Sequence, residues 1–502
     1  MKLKRNIIAN YLSQGYSAAA GILTVPTYVK YMGAEAYGLV GFYGMLQAWF
    51  LILDAGLSTT LSREVARYNG GGTSLAVLTR LKRVLELIFL VIGVLGIVVF
   101  ALGGTAIATK WLKIVQLSLP EVVHSVQLMG VIIALRWMSC LYRGVVSGFE
   151  QQVWLSGFNT VVTTLRFVLS IPLVALVDNS PQSFFLYQAA ISAIELAVLV
   201  LKANTLIPAR GVAGLVDWAA LKPALRFASG VAFTSVVWVL VTQVDKLALS
   251  KLLPLSSYGE FTLAVLLANG INLLSGPIST ALIPRMTSLA AGDGHDDMLA
   301  LYRKFTQIVG VVTVPAAITL FVFSREIMFA WTGNPLLAQR AAPILGFYAL
   351  GNAVLSIAAF PYYLQYAKGN IRMHLIGNAI FVVLYLPLVL LCAREWGGAG
   401  AAAAWLAMNL SYLLAWVPLV HRRLAPGLHQ RWLLADVCQV AVAAGLPFIL
   451  HALTAIRLDG RFSGAAMAVA YGMASLACAI AASPALRAPL LHRIRGAARV
   501  AA

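Results

Sequence analysis

Charge is scarce in this chain. Of its 502 residues only 11% are Asp, Glu, Lys or Arg, and the acidic kind is scarcer, 18 against 37 basic. A soluble protein needs a charged shell around its core, and a chain that is 60% hydrophobic with a mean hydropathy of +0.84 has too little to build one. It is read as an integral membrane protein. Cysteine is nearly absent: Cys140, Cys392, Cys438 and Cys478 show no C-x-x-C spacing, which excludes a disulfide framework and a thiolate metal site. No Gly-Lys dipeptide occurs, so the G-x-x-x-x-G-K-[ST] phosphate loop is missing and the chain cannot be its own ATP motor. A G-x-S-x-G elbow and an H-E-x-x-H helix are missing too, and the seven histidines do not cluster. The expectation is a protein that is not an enzyme and holds no metal or organic cofactor.

What the chain does have is long apolar runs. Fourteen stand between charged or Gly/Pro-rich breaks, at roughly 7–29, 37–61, 84–108, 122–146, 154–177, 182–202, 227–250, 257–283, 305–324, 342–364, 371–392, 398–420, 432–453 and 463–484. Each can cross about 30 Å of hydrocarbon as a helix rising about 1.5 Å per residue. The predicted fold is all-α with about fourteen transmembrane helices. With the N-terminus in the cytoplasm, 25 of the 37 Lys and Arg fall on inner loops or ends, 9 outside and 3 within spans, which orients both termini inside. The net charge of +19 is thereby read as topological, meeting membrane lipid headgroups and no nucleic acid. Lys2, Lys4 and Arg5 before the first run imitate a signal peptide, but no small-residue cleavage site follows and the helix is expected to stay.

The chain also carries a faint copy of itself, displaced by 221 residues. At that offset Arg5 meets Arg226, Lys30 meets Lys251, Tyr37-Gly38 meets Tyr258-Gly259, Lys82-Arg83 meets Arg303-Lys304 and Gly148 meets Gly369. Six spans fit between the anchors, an even number, so the repeat is parallel. The predicted organisation is a six-helix lobe at 1–202, a cytoplasmic linker with Trp218 at 203–225, a second six-helix lobe at 226–420, and two extra helices with a basic tail at 421–502. Gly38, Gly41 and Gly44 are read as a smooth face for close helix packing.

Chemistry is sought in charge at membrane depth. Arg136 lies about fourteen residues into the fourth span, Arg166 about twelve into the fifth and Glu195 about thirteen into the sixth. An unpaired ion there costs from about 3 to more than 10 kcal/mol, so these groups must face protein or water. One reading pairs an arginine with Glu195 as interhelical glue. The other notes two cations to one acid, a surplus suited to an anionic head such as diphosphate, which guanidinium grips with paired donors. Lys246 is a further candidate contact, and Asp54, Asp245 and Glu195 are candidates for charge balance or for coupling to Na⁺ or H⁺. Gln14, Gln47, Gln243 and Asn272 are in-span polar groups able to meet sugar hydroxyls or a neighbouring helix.

Arg5-Asn6, Lys30-Tyr31-Met32-Gly33 followed by Tyr37-Gly38, and Leu53-Asp54-Ala55-Gly56-Leu57-Ser58-Thr59-Thr60-Leu61 ending in Arg63-Glu64 resemble the N-terminal signature of bacterial polysaccharide flippases of the O-antigen type. Tyr142-Arg143-Gly144 with Gly148-Phe149-Glu150-Gln151, and Gln243-Val244-Asp245-Lys246, resemble the same family. The resemblance implies the fold of multidrug/oligosaccharidyl-lipid/polysaccharide exporters, two six-helix bundles around a central cavity. It implies an undecaprenyl-pyrophosphate-linked oligosaccharide moved by alternating access across the bacterial inner membrane, in the company of polysaccharide polymerase and export proteins. Two other functions stay in view. A cation-coupled multidrug exporter on the same fold would want an acidic, apolar seat, and a glycan polymerase or ligase would want a large outer loop, which this sequence lacks.

Overall fold

A computed structural model describes residues 2–54, 56–207, 221–292, 294–454 and 460–487. Contacts divide the chain into two compact units, Met1–Gly259 and Glu260–Ala502. The first holds α1 (Lys2–Asp54), α2 (Leu57–Asn69), α3 (Leu75–Ala106), α4 (Leu119–Gly148), α5 (Gln152–Thr163), the single turn α6 (Ser170–Pro172), α7 (Pro181–Leu206) and α8 (Leu221–Leu252). Two π turns, Thr164–Val168 and Leu173–Val177, join α5 and α6 into one crossing. The unit boundary falls within α9 (Leu255–Ala268). The second unit continues with α10 (Gly270–Ala290), α11 (His295–Val322), α12 (Ser324–Thr332), α13 (Pro335–Ala358), α14 (Phe360–Ala367) and α15 (Arg372–Ser411). After it come α16 (Val417–Leu424), α17 (Leu428–Arg431), α18 (Gln439–Thr454) and α19 (Ser463–Ala482).

Glycine sets the breaks that turn these helices into crossings. Gly33 at φ 86° divides α1, and Gly397 at φ 58° divides α15, left-handed conformations that a side chain resists. Ten helical runs are long and apolar enough to cross a membrane among the described residues. Each of α1 and α15 supplies two crossings, and α8 and the α9–α10 run add two more, so the chain has the expected fourteen or so. Turns are sealed by short polar side chains. Ser118 and Glu121 form a capping box ahead of α4, and Asn334 Oδ1 accepts from the Leu336 and Leu337 amides at the start of α13.

The 221-residue offset reappears in the helix ends. α2 ends at Asn69 and α10 at Ala290; α5 begins at Gln152 and α15 at Arg372, one residue from register. The Gly33 break has its counterpart at Pro254, between α8 and α9. Contacts and repeat draw different borders, however. The repeat starts a second lobe at 226, whereas α8 packs on α1 and α2 and clusters with the first unit as far as Gly259. Within the linker expected at 203–225, helix persists to Leu206 and resumes at Leu221. Residues 208–220, with Trp218, and the basic tail beyond 487 lie outside the described residues.

Each unit has its own apolar core. In the first, Leu81, Leu85 and Phe89 of α3 meet Leu141 and Val145 of α4 and Leu199 of α7, and Phe89 stacks on Trp137 at 4.2 Å. In the second, the helices after the repeat are locked to α11 by polar bonds: Arg303 Nε donates to Asp436 at 2.6 Å, Gln307 donates to the same carboxylate, and Trp432 Nε1 donates to Thr306. Of the glycines expected to make a smooth face, Gly38 meets the Leu255 backbone and Gly44 has open space beside it.

Candidate functional site

Three elements of the first unit bring four charged groups together inside crossing helices. Arg136 and Arg143 stand seven residues apart on α4, two turns, so they project from one face. Glu195 comes from α7, which packs along α4, and Arg166 from the π turn Thr164–Val168, where the widened helix re-aims a side chain.

Glu195 is shared. Its Oε1 takes Nη2 of Arg143 and its Oε2 takes Nη2 of Arg166, the latter at 2.5 Å. Asn159 Oδ1 accepts from the other terminal nitrogen of Arg143, and Ser192 Oγ accepts from Arg166 at 3.0 Å. Arg136 has neutral partners, donating to Gln47 Oε1 at 2.7 Å and to the Tyr43 hydroxyl at 3.1 Å, and it lies within electrostatic reach of Glu195. Access differs sharply across the bridge: the Glu195 and Arg166 side chains are 4% and 7% exposed, that of Arg143 is 26% exposed, and Arg136 is half-buried. Three guanidiniums against one carboxylate leave two positive charges at a depth where charge is costly. Such an arrangement can bind an anion with fixed, planar donors.

The expected residues part company here. Arg136, Arg166 and Glu195 come together; Arg166 is the sealed member. Asp54 stands at the end of α1, where its Oδ1 accepts from the Ser58 amide at 3.2 Å and hydroxyl at 2.6 Å beside left-handed Gly56, so it caps the α1–α2 break. Asp245 is buried on α8 next to Lys246, whose Nζ donates to Thr242 O at 2.6 Å and to Asp245 at 3.3 Å. Gln47 serves Arg136, Gln243 donates to Thr242, and Gln14 is exposed. Arg143, Tyr43, Asn159 and Ser192 were not singled out as site residues from sequence. The spacing of Arg143 from Arg136 was the available signal, masked because Arg143 read as part of the motif closing its helix.

The cluster belongs to one half of the repeat. The positions 221 residues after Arg136, Arg143, Arg166 and Glu195 are Ile357, Leu364, Pro387 and Trp416. The second half builds corresponding helices with uncharged side chains there, so the fold itself does not require the ions.

A family model described as polysaccharide biosynthesis protein matches residues 3–290, and one described as Lipid II flippase MurJ matches residues 231–456. No curated protein matches the chain. Among solved structures it resembles the lipid II flippase MurJ in an inward closed conformation, with a TM-score of 0.73 at 13% identity over 95% of this chain and 98% of that one. It also resembles an inward-facing multidrug resistance MATE family transporter of the MOP superfamily, with a TM-score of 0.63 at 12% identity over 80% and 94%. A MOP superfamily transporter from Pyrococcus furiosus, whose binding pocket is described as reversed in polarity, gives 0.54 at 12% identity over 84% and 95%. At such identities these likenesses are of fold alone. The match over residues 3–290 spans more than half of the sequence, and the chain belongs to the polysaccharide biosynthesis protein family.

Proposed function

We propose that this transporter flips an undecaprenyl-diphosphate-linked oligosaccharide from the inner to the outer leaflet of the bacterial inner membrane, for surface polysaccharide of the O-antigen type. The observation that supports it is the surplus of guanidinium over carboxylate in the first unit, at positions where the second half of the repeat is uncharged. Arg136 and Arg143, the accessible pair, hold the diphosphate or an acidic sugar; Arg166 holds Glu195 in place beneath them. The head crosses as an anion on these groups while the prenyl tail stays in lipid, so the protein supplies only the polar path. Lys246 is a secondary contact, and Asp54 and Asp245 serve as charge balance or coupling groups for Na⁺ or H⁺. Both termini face the cytoplasm, and the polymerase and export proteins of the same glycan are the partners in the membrane. An exporter of organic cations would be opposed by this cluster, because two uncompensated positive charges repel its substrate.

The test is surface glycan measured beside membrane abundance. Arg136→Ala and Arg143→Ala are expected to abolish export while the protein accumulates, with lysine rescuing in part because ammonium keeps charge and loses the planar fork. Export at the normal rate in both alanine variants would sink the proposal.

A further inference from the structure

One carboxylate between two guanidiniums is a competitor for any anion that comes to the same place. Glu195 offers Arg143 and Arg166 one oxygen each, an arrangement that two phosphate oxygens would reproduce. The two halves of this bridge are not equivalent. The Arg166 half is sealed, and only the Arg143 half is open enough for exchange. Asn159 keeps hold of Arg143 from its second nitrogen, so the guanidinium does not swing away when the carboxylate lets go. Glu195 would then keep Arg166, itself supported by Ser192, and no bare charge would be left in the membrane.

We propose that Glu195 is a resident counter-anion that the substrate displaces from Arg143 on binding and that displaces the substrate on release. This inference rests on the reading that Arg136 and Arg143 hold an anionic head. It also sets the preferred charge. Arg136, Arg143, Arg166 and Glu195 sum to two positive charges, which a diphosphate diester, ionised once on each phosphorus, neutralises in full. A monophosphate diester leaves one charge bare. Without Glu195 the three arginines become a trap, binding the head more tightly and passing it on more slowly.

The experiment uses the full chain in lipid nanodiscs, with farnesyl-diphosphoryl-N-acetylglucosamine as the probe and its monophosphoryl analogue as control. Glu195→Gln is expected to tighten the diphosphate probe about tenfold, the scale of a lost partly buried charge competitor, and to slow its transfer between leaflets in liposomes. Because Glu195→Gln leaves Arg166 without its buried partner, the double variant Arg166→Gln/Glu195→Gln is measured beside it. That variant removes both buried charges and frees Arg143, so it too is expected to bind more tightly than the native chain. Arg143→Ala is expected to weaken the probe, and native binding should favour diphosphate over monophosphate. If Arg143→Ala weakens the probe while both Glu195 variants bind it no better than the native chain, the counter-anion role is overturned and the head-group reading stands. If neither Arg136→Ala nor Arg143→Ala weakens it, both fall together.

Discussion

Glu195 Oε2 sits 2.5 Å from Nη2 of Arg166, with both side chains sealed from solvent. Removing one member of such a pair strands the other, so Arg166→Ala is expected to cost about 3 kcal/mol of stability, softened by what Arg143 still gives Glu195. The readout is thermal unfolding of the purified protein together with its abundance in membranes. Loss of export at undiminished abundance and unfolding midpoint would instead make Arg166 a direct substrate contact.

Two glycines let backbones touch in the first unit. A Cβ at Gly38 would lie 2.2 Å from the Leu255 carbonyl oxygen, and one at Gly259 2.1 Å from that of Ala34. Alanine at either position must push α1 and α9 apart, at an expected cost of about 1–3 kcal/mol. Gly44→Ala is the control, since nothing lies within 4 Å of its Cβ position. Equal unfolding midpoints for all three variants would refute the close contact.

Glu35 is a buried carboxylate that accepts from three successive backbone amides, Val115 at 2.6 Å, Gln116 at 2.7 Å and Leu117 at 3.3 Å. The same loop reaches α8 and α9, with Leu255 N donating to Lys113 O at 2.9 Å and Lys113 Nζ to Leu252 O at 2.7 Å. Glu35→Gln turns one acceptor oxygen into a donor that faces donors, and is expected to cost about 1–3 kcal/mol. Hydrogen exchange at residues 115–117 should accelerate; unchanged protection there would show that the loop is held by other contacts.

Topology follows from charge asymmetry. Reporter fusions after Arg499 and beside Gly292 are both expected to report cytoplasm, because an even number of crossings separates each from an inner N-terminus. An outside signal at either position rules out the fourteen-crossing orientation.

Much of the fold was legible from one dimension. Apolar runs report crossings because a backbone in lipid must bond to itself, which leaves helix as the local solution wherever the run is long enough. The 221-residue echo has its structural counterpart in helix ends such as Asn69 and Ala290, since duplicated sequence repeats its local breaks. The depth of Arg136, Arg166 and Glu195 could be counted along their helices, and the cost of burying charge marked them as candidates that must find partners or water. Which arginine faces outward could not be counted. Partner choice depends on the rotation of three helices about their axes and on the π turn that re-aims Arg166, and these are settled by packing between elements distant in sequence. The same physics made Asp54 a cap and joined α8 to the first unit. The sequence alone determined that the chain crosses the membrane about fourteen times, with more arginine than acid at membrane depth in the first lobe. Only the tertiary structure decided that Glu195 bridges Arg143 and Arg166, because an ion pair across helices is made by geometry that no local spacing encodes.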